Sequence, residues 1–407
     1  MAQAHELDPH AIGQRLSAAR KARGITQEEA AEFLGVSRPT LSATERGTRL
    51  PVPEEIVRLA RYYGRSVHEI VGRREGTVEL QPHLRAAVPP SRSDLGEIDS
   101  AIAEFQRLVD DYRELEHIEG AQLVVEYPSE VHVPRRADLR QFAEDVSERE
   151  RRRLAVGDQP ILELRRALED CAGLRTFVVG LPSDIAGMYA YVADLGYCII
   201  VNRKHPAERQ RWTLAHEYGH FLSERHKPGV DYLCERARKP SGESFCDAFA
   251  ANFLMPRRPI RQRFYDVARS TGDFKVADLC KLSADYLVSV QAMTLRLEEL
   301  ALVERGTWST LREKGFKPER LKKELELQVP ETGPEAEYPE RYKYLAVAAF
   351  CKAKITEGQL AGFLRCDRVS AREIVRECVN RPETTSSGGR EIIELPFERS
   401  LLSESPS

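Results

Sequence analysis

Long apolar runs are what this sequence lacks most plainly. Nowhere in its 407 residues do the ~18 consecutive apolar residues of a membrane-spanning helix occur, so no spanning helix is expected. The opening "MAQAHELDPHAIGQRL" has no apolar h-region, and no secretory signal is visible in it. Eight cysteines are present (171, 198, 234, 246, 280, 351, 366, 378), with no CxxC spacing and mostly inside apolar runs such as "YCII" and "AAFCKA". That excludes an obvious disulfide framework and leads us to expect a reduced, cytoplasmic chain. An excess of either charge is missing too. The 61 Lys and Arg nearly balance 64 Asp and Glu, for a net charge of −3, so the chain as a whole is not a nucleic-acid-binding polycation. Any such role must come from a local patch. No internal repeat stands out.

What is present sustains packed cores: 42% hydrophobic and 31% charged residues, over a length that suggests two to four domains at about 100–200 residues each. Residues 10–72 read as five short helices. Thr26 is an N-cap with Glu29 three residues on and Gly35 as terminator, and Ser37 opens the next helix, which Gly47 closes. Short helices joined by Gly-containing turns are the helix-turn-helix pattern. Residues 73–96 gather Pro, Ser and Gly and read as a linker. Ile98, Ile102, Phe105, Val109 and Tyr112 mark a helix. "TFVVGL", "GMYAYVAD" and "YCIIVN" read as three strands of a small sheet. Residues 206–226, 242–254, most of 258–304, and 341–378 read as helical, and the tail from Asn380 as disordered. Within 355–378, "ITEGQLAGFLRCDRVSAREIVREC" faintly echoes a second helix-turn-helix, read here chiefly as helical packing.

The chemistry concentrates in "WTLAHEYGHFLSERHKPG", Trp212–Gly229. On a helix His216 and His220 share a face one turn apart, where two imidazoles can bind one zinc, with Glu217 beside them as candidate general base. The uncharged flanks suit a buried helix, since an unpaired buried charge is costly. A catalytic zinc usually takes three protein ligands. Downstream, "GESFCDAFAANFLMP" offers Glu243 as the third and, four residues on, Asp247 to hold the outer nitrogen of a histidine. His205 and His226 read as solvated loop histidines. Tyr189 and Tyr191 are candidates for oxyanion stabilisation, and "GMYAYVAD" for the edge on which an extended peptide lies.

"WTLAHEYGHFL" followed by "ESFCDAFAANFLMP" resembles the ImmA/IrrE-type metallopeptidases, a zincin-fold family, over about 170–300. The resemblance implies zinc on His216, His220 and Glu243, with Glu217 as base, and a substrate of the helix-turn-helix repressor kind. The family often has "EAN" where this chain has Phe245–Asp247. "TQEEAAEFLGVSRPTLSATERG" resembles the Xre-type, lambda-repressor-like helix-turn-helix over about 10–72. That window holds ten Lys/Arg against seven Asp/Glu, a net of 10 − 7 = +3, opposite in sign to the whole chain. Such modules place the second helix in the major groove. Ser37, Arg38, Pro39, Thr40 and Ser42 are the expected base-facing residues, with Gln27 and Arg46 supporting or meeting phosphate.

The expectation is therefore a mainly α protein with a small β-sheet (α+β). It comprises a lambda-repressor-like five-helix domain (1–72), a linker (73–96), a zincin-like metallopeptidase domain (97–305), a helical C-terminal region (306–379) and a tail (380–407). The expected cofactor is Zn2+. The expected partners are an operator duplex and a protein substrate, with a homodimer through the helix-turn-helix region and no membrane. The alternative is a transcription factor whose metallopeptidase-like domain is an inactive sensor of a ligand or metal.

Overall fold

The computed structural model describes residues 9–63, 67, 70, 84, 95–123, 127–134, 139–192, 195–227, 229–232, 241–327, 338–379, 382–384 and 390–392. The chain divides into two compact units, Met1–Thr77 and Val78–Ser407.

In the first unit, α1 (Pro9–Ala22), α2 (Gln27–Leu34), α3 (Arg38–Glu45) and α4 (Pro53–Tyr63) surround a core of Ile12, Leu16, Leu34, Leu41, Leu59 and Tyr63. The local signals act as read. Thr26 and Glu29 form a reciprocal capping box, Gly35 ends α2 at φ 78°, and the Ser37 side chain accepts from Thr40 N. Gly13 permits the crossing of α1 and α3, because a Cβ there would lie 2.3 Å from the Thr44 carbonyl oxygen. Of the fifth expected helix, over "SVHEIVG", only Val67 and Ile70 lie within the described residues, both helical, with Ile70 buried.

The second unit is organised by a four-stranded sheet of β1 (Arg175–Val179), β2 (Ile185–Val192), β3 (Gly196–Asn202) and β4 (Gly229–Tyr232), in the order β1-β3-β2-β4. β1 runs parallel to β3, and the other pairs are antiparallel. Strand alternation sends Tyr189, Tyr197, Ile199 and Val201 into one core, and Met188, Ala190, Cys198 and Ile200 into another. Both faces are covered, which is why these strands read as continuous apolar runs.

The first core is built with α6 (Leu139–Arg153), α7 (Leu164–Arg166, continuing into a π-turn, Ala167–Cys171) and α8 (Ala207–Glu224), followed by α9 (Ser241–Leu254), α10 (Arg257–Thr271), α11 (Val276–Asp285) and α12 (Val290–Glu299). Leu311 and Leu321 bring α13 (Thr307–Glu313) and α14 (Pro318–Glu324) onto the same core. The opposite face is covered by α5 (Leu95–Glu119) together with α15 (Glu340–Cys351), α16 (Glu357–Phe363) and α17 (Arg368–Val379). Ion pairs stitch α5 to this C-terminal group: Glu116 to Arg341, Glu119 to Lys352 and Lys354, and Glu104 and Asp111 to Arg365.

Three expectations are corrected. β2 is not an edge: β3 and β4 flank it on both sides, and the unpredicted β4 occupies the position assigned to an incoming peptide. Within 73–96, Leu84 is fully buried in the core of α5 and the sheet, and residues 95 and 96 already belong to α5. Within the tail expected to be disordered, β5 (Pro382–Thr384) pairs with β6 (Arg390–Ile392), as suits the β-branched and Gly-rich stretch "TTSSGGREII"; most of the tail lies outside the described residues. Among the described residues, no helix is long and apolar enough to cross a membrane.

Candidate metal centre and exposed helix of the first unit

α8 is enclosed from Thr213 to Leu222, ten successive buried residues. It packs between the sheet and α9, and α6 anchors it from outside. Tyr218 Oη donates to Glu150 at 2.6 Å and accepts from Arg153 at 2.7 Å. Gly187 on β2 allows the close approach of sheet and helix. A Cβ there would lie 2.9 Å from both Ile200 O and Thr213 Cγ2, and 3.2 Å from Glu217 Oε1.

Within this enclosure the two histidines and the downstream acids converge. His216 Nε2 lies 3.5 Å from Glu243 Oε2, and His220 Nε2 lies 3.6 Å from Glu243 Oε1. One carboxylate thus faces the same nitrogen of both rings. On the other side of His216, Asp247 Oδ1 lies 3.2 Å from Nδ1. The four-residue spacing in α9 puts Glu243 and Asp247 on one helical face, matching the spacing of the histidines in α8. Glu217 is fully buried.

The electrostatics suit a cation. Burial, with the neighbouring His216 adding to it, pushes His220 down to about 3, so its imidazole is neutral at ordinary pH and keeps a lone pair for a metal. The hydrogen bond from His216 holds the Glu243 carboxyl below its ordinary range, so it is ionised. Two imidazoles and one carboxylate form a donor set that fits zinc.

Several contacts around the site were not legible in advance. Tyr189 stacks on His220 with ring centroids 4.8 Å apart. Cys246, buried and held as the thiol by burial, forms with His216 and His220 a group whose candidate ligand atoms lie within 4.8 Å of one another. A cleft of about 1730 Å³ opens beside His216 and Asp247, and both tryptophans of the chain, Trp212 and Trp308, line it with Arg209 and Arg305. His205, also on the cleft, is tied to Ser183 O at 2.9 Å, so it is a braced residue and not a free loop histidine. His226 is exposed, with Tyr191 edge-on to it at 4.7 Å.

In the first unit, Ser37, Arg38, Pro39 and Arg46 are exposed, and Thr40 and Ser42 are half-buried on the same helix. Arg38 reaches Glu28 at 3.8 Å, and Arg46 Nε donates to Ser42 O at 3.3 Å. Gln27 turns inward: its amide donates to Glu45 at 2.9 Å, beside a buried Arg20–Glu45 pair at 2.6 Å. It therefore braces α3 from behind.

Comparisons with known proteins follow this division. Residues 11–70 match the helix-turn-helix domain model, and residues 170–298 match the model described as the IrrE N-terminal-like domain. A curated relative, the cryptic phage CTXphi transcriptional repressor RstR of Vibrio cholerae, is 37% identical over 60 residues, 15% of this chain and 54% of its own length. The chain thus spans about half the length of that relative. Two solved structures align at 12% identity: ComR from Streptococcus suis, over 92% of this chain and 90% of that one, TM-score 0.16, and ComR from S. thermophilus in complex with DNA and its signalling peptide ComS, over 89% and 99%, TM-score 0.18. Two stretches of the chain are thus similar to known domains, 11–70 to a helix-turn-helix domain and 170–298 to the IrrE N-terminal-like domain.

Proposed function

We propose that this protein is a transcriptional regulator that binds an operator duplex through its first unit and acts as a zinc-dependent endopeptidase through its second, on a repressor- or antitoxin-like protein. The observation that carries the enzymatic half is the convergence of His216 and His220 Nε2 on the single Glu243 carboxylate, at 3.5 and 3.6 Å. His216, His220 and Glu243 would hold the ion, with Asp247 orienting His216 through Nδ1. Zinc bound there supplies Lewis acidity toward a scissile carbonyl and brings water toward ionisation near neutral pH. Glu217, enclosed beside Gly187, would accept a proton on its carboxylate and return it to the leaving amine. The cleft lined by Trp212 and Trp308 reaches His216 and Asp247, where it would give a substrate chain apolar surface. A peptide adding to the sheet would pair with β4, because β2 is already paired on both sides.

A second reading rests on Cys246. A thiolate joining the two imidazoles would close the site, and closed zinc sites are structural. The domain would then sense a metal or ligand instead of cutting.

The deciding experiment incubates purified protein and its Glu217→Gln variant with repressors encoded beside it, and measures zinc content in parallel. About one zinc per chain in both proteins, with cleavage by the wild type alone, is the expected result. Loss of the base typically costs about 10²–10⁴-fold in rate. Equal cleavage by both, or none by either with full zinc, would reject the endopeptidase and favour the sensor.

A further inference from the structure

The DNA-facing architecture of the first unit recurs at the far end of the chain, at a constant spacing of 330 positions. The buried residues Ile12, Leu16 and Ala19 of α1 correspond to Tyr342, Ala346 and Ala349 of α15, all buried. Ala30, Ala31 and Leu34 of α2 correspond to Leu360, Ala361 and Leu364, and Leu41 of α3 to Ala371, again all buried.

The polar signals repeat in the same register. Thr26 caps α2 by accepting from Glu29 N at 3.2 Å while Glu29 accepts from Thr26 N at 2.7 Å; Thr356 and Gln359 make the same reciprocal pair before α16, at 3.2 and 2.8 Å. The turn that follows passes through positive φ at Gly35 (78°) and at Arg365 (49°). Ser37 then accepts from Thr40 N at 3.3 Å, and Asp367 from Ser370 N at 3.0 Å. Core positions, caps and turn therefore agree over three helices, although few residue types are shared.

The register says which residues of α17 stand where α3 would face DNA. Arg38, Pro39, Thr40, Ser42 and Arg46 correspond to Arg368, Val369, Ser370, Arg372 and Arg376. In α17 the three arginines are exposed, and Val369 is 63% exposed. Their spacing of four residues aligns them along one flank of the helix. Arg372 meets Glu357 at 3.0 Å, and the exposed Glu373 and Glu377 occupy the other flank.

We infer that α15, α16 and α17 form a second helix-turn-helix, and that the flank of α17 carrying Arg368, Arg372 and Arg376 is a second contact surface for duplex DNA. Charge complementarity selects the occupant: arginines one turn apart, with an exposed apolar residue between flanks, match a phosphate backbone and groove wall. This arrangement shares its core with α5 and the sheet, so it is tested in the whole chain. Binding of a fluorescein-labelled duplex of mixed sequence is followed by anisotropy across a salt series. Each phosphate contact contributes about 0.9 to the slope of log affinity against log salt. R368A/R372A/R376A is expected to lower that slope by about 2–3 with an unchanged melting temperature, because the side chains are exposed. E373Q/E377Q, which removes repulsion and cannot tighten binding by unfolding, is expected to raise affinity several-fold. The first unit and the metal centre are the same in all three proteins, so neither alters these differences. A triple variant with the wild-type slope overturns the inference, as does an E373Q/E377Q protein with wild-type affinity; α17 would then be a packing or protein-docking surface.

Discussion

Tyr189 lies nearly flat on the His220 imidazole, with ring centroids 4.8 Å apart and planes 18° from parallel. Gly229 of β4, the cross-strand partner of Tyr189, leaves room for the same ring, since a Cβ on Gly229 would lie 2.4 Å from its Cε1 and Cζ, and Tyr197 stacks on it with centroids 5.6 Å apart. A ring clamped in this way fixes the orientation of an imidazole that is to hold metal. Gly229→Ala is therefore expected to lose about 1–3 kcal/mol of stability by overpacking, and to weaken zinc binding as Tyr189 shifts. Calorimetric melting and a zinc titration check both effects. Tyr189→Phe keeps the stacked ring and is expected to preserve both zinc affinity and rate. A rate loss of about 10²–10³-fold in that variant would instead make the hydroxyl an oxyanion donor.

Asp247 offers a cleaner test of how His216 is held. Its carboxylate faces Nδ1 at 3.2 Å while Nε2 faces Glu243. Asp247→Ala is expected to lower zinc affinity about 10–100-fold, and Asp247→Asn, which still offers an oxygen, to lower it less. Competition against a chromophoric chelator measures both. Equal affinity in all three proteins would show that the tautomer of His216 is set elsewhere.

Acid should loosen the first unit through Glu45. Burial raises this carboxyl, but the hydrogen bonds from Arg20 and Gln27 and the Arg20 charge together outweigh it and hold the group below its ordinary range. A carboxyl depressed in the fold stabilises fully above the unfolded value of about 4.3, and that stability is lost as pH falls through the folded value. Urea melts of the first unit should thus weaken below about pH 4.3. Glu45→Ala, which strands a buried Arg20, should cost about 3–5 kcal/mol near neutral pH and abolish this dependence. An acid limb that survives in the variant would place the titration on another group.

Ser37 and Arg38 are neighbours with different expected roles. Arg38→Ala should cost about 1–3 kcal/mol of operator binding if the guanidinium reads a base, without lowering the melting temperature. Ser37→Ala removes an N-cap and should cost roughly 1 kcal/mol of stability. Anisotropy titrations alongside thermal melts separate the two. An Arg38→Ala protein that binds operator and scrambled duplex like the wild type would leave Arg38 to solvent and Glu28.

The helix carrying His216 and the helix carrying Glu243 were legible because period and spacing are local properties. Residues four apart meet on any helix, and apolar flanks announce burial. The capping of α2 and α3 was legible for the same reason, since Thr26, Glu29 and Ser37 act within three residues. What could not be read depends on contacts distant in the chain. β4 has four residues and little β-branched character, and only its pairing with β2 makes it a strand. Gln27 looked outward until Glu45 claimed its amide, 18 positions away. The recurrence of α1–α3 at α15–α17 showed in the sequence only as a faint echo over 355–378, because its buried positions keep burial more than residue type, with Leu16 answered by Ala346 and Leu41 by Ala371.

The sheet face bearing Met188, Ala190 and Ile200 is covered from one side by α5, made before the strands, and from the other by α15 to α17, made long after them. During synthesis this has an order-dependent effect. The first unit is complete by about residue 77 and can fold as soon as it clears the ribosome. The metal-bearing unit cannot close its second core until Ala371 has emerged, on the order of 15–60 s later at about 5–20 residues per second. Once β3 is complete at Asn202, the apolar strands stay uncovered for about 8–34 s of that interval, while the first unit is already whole.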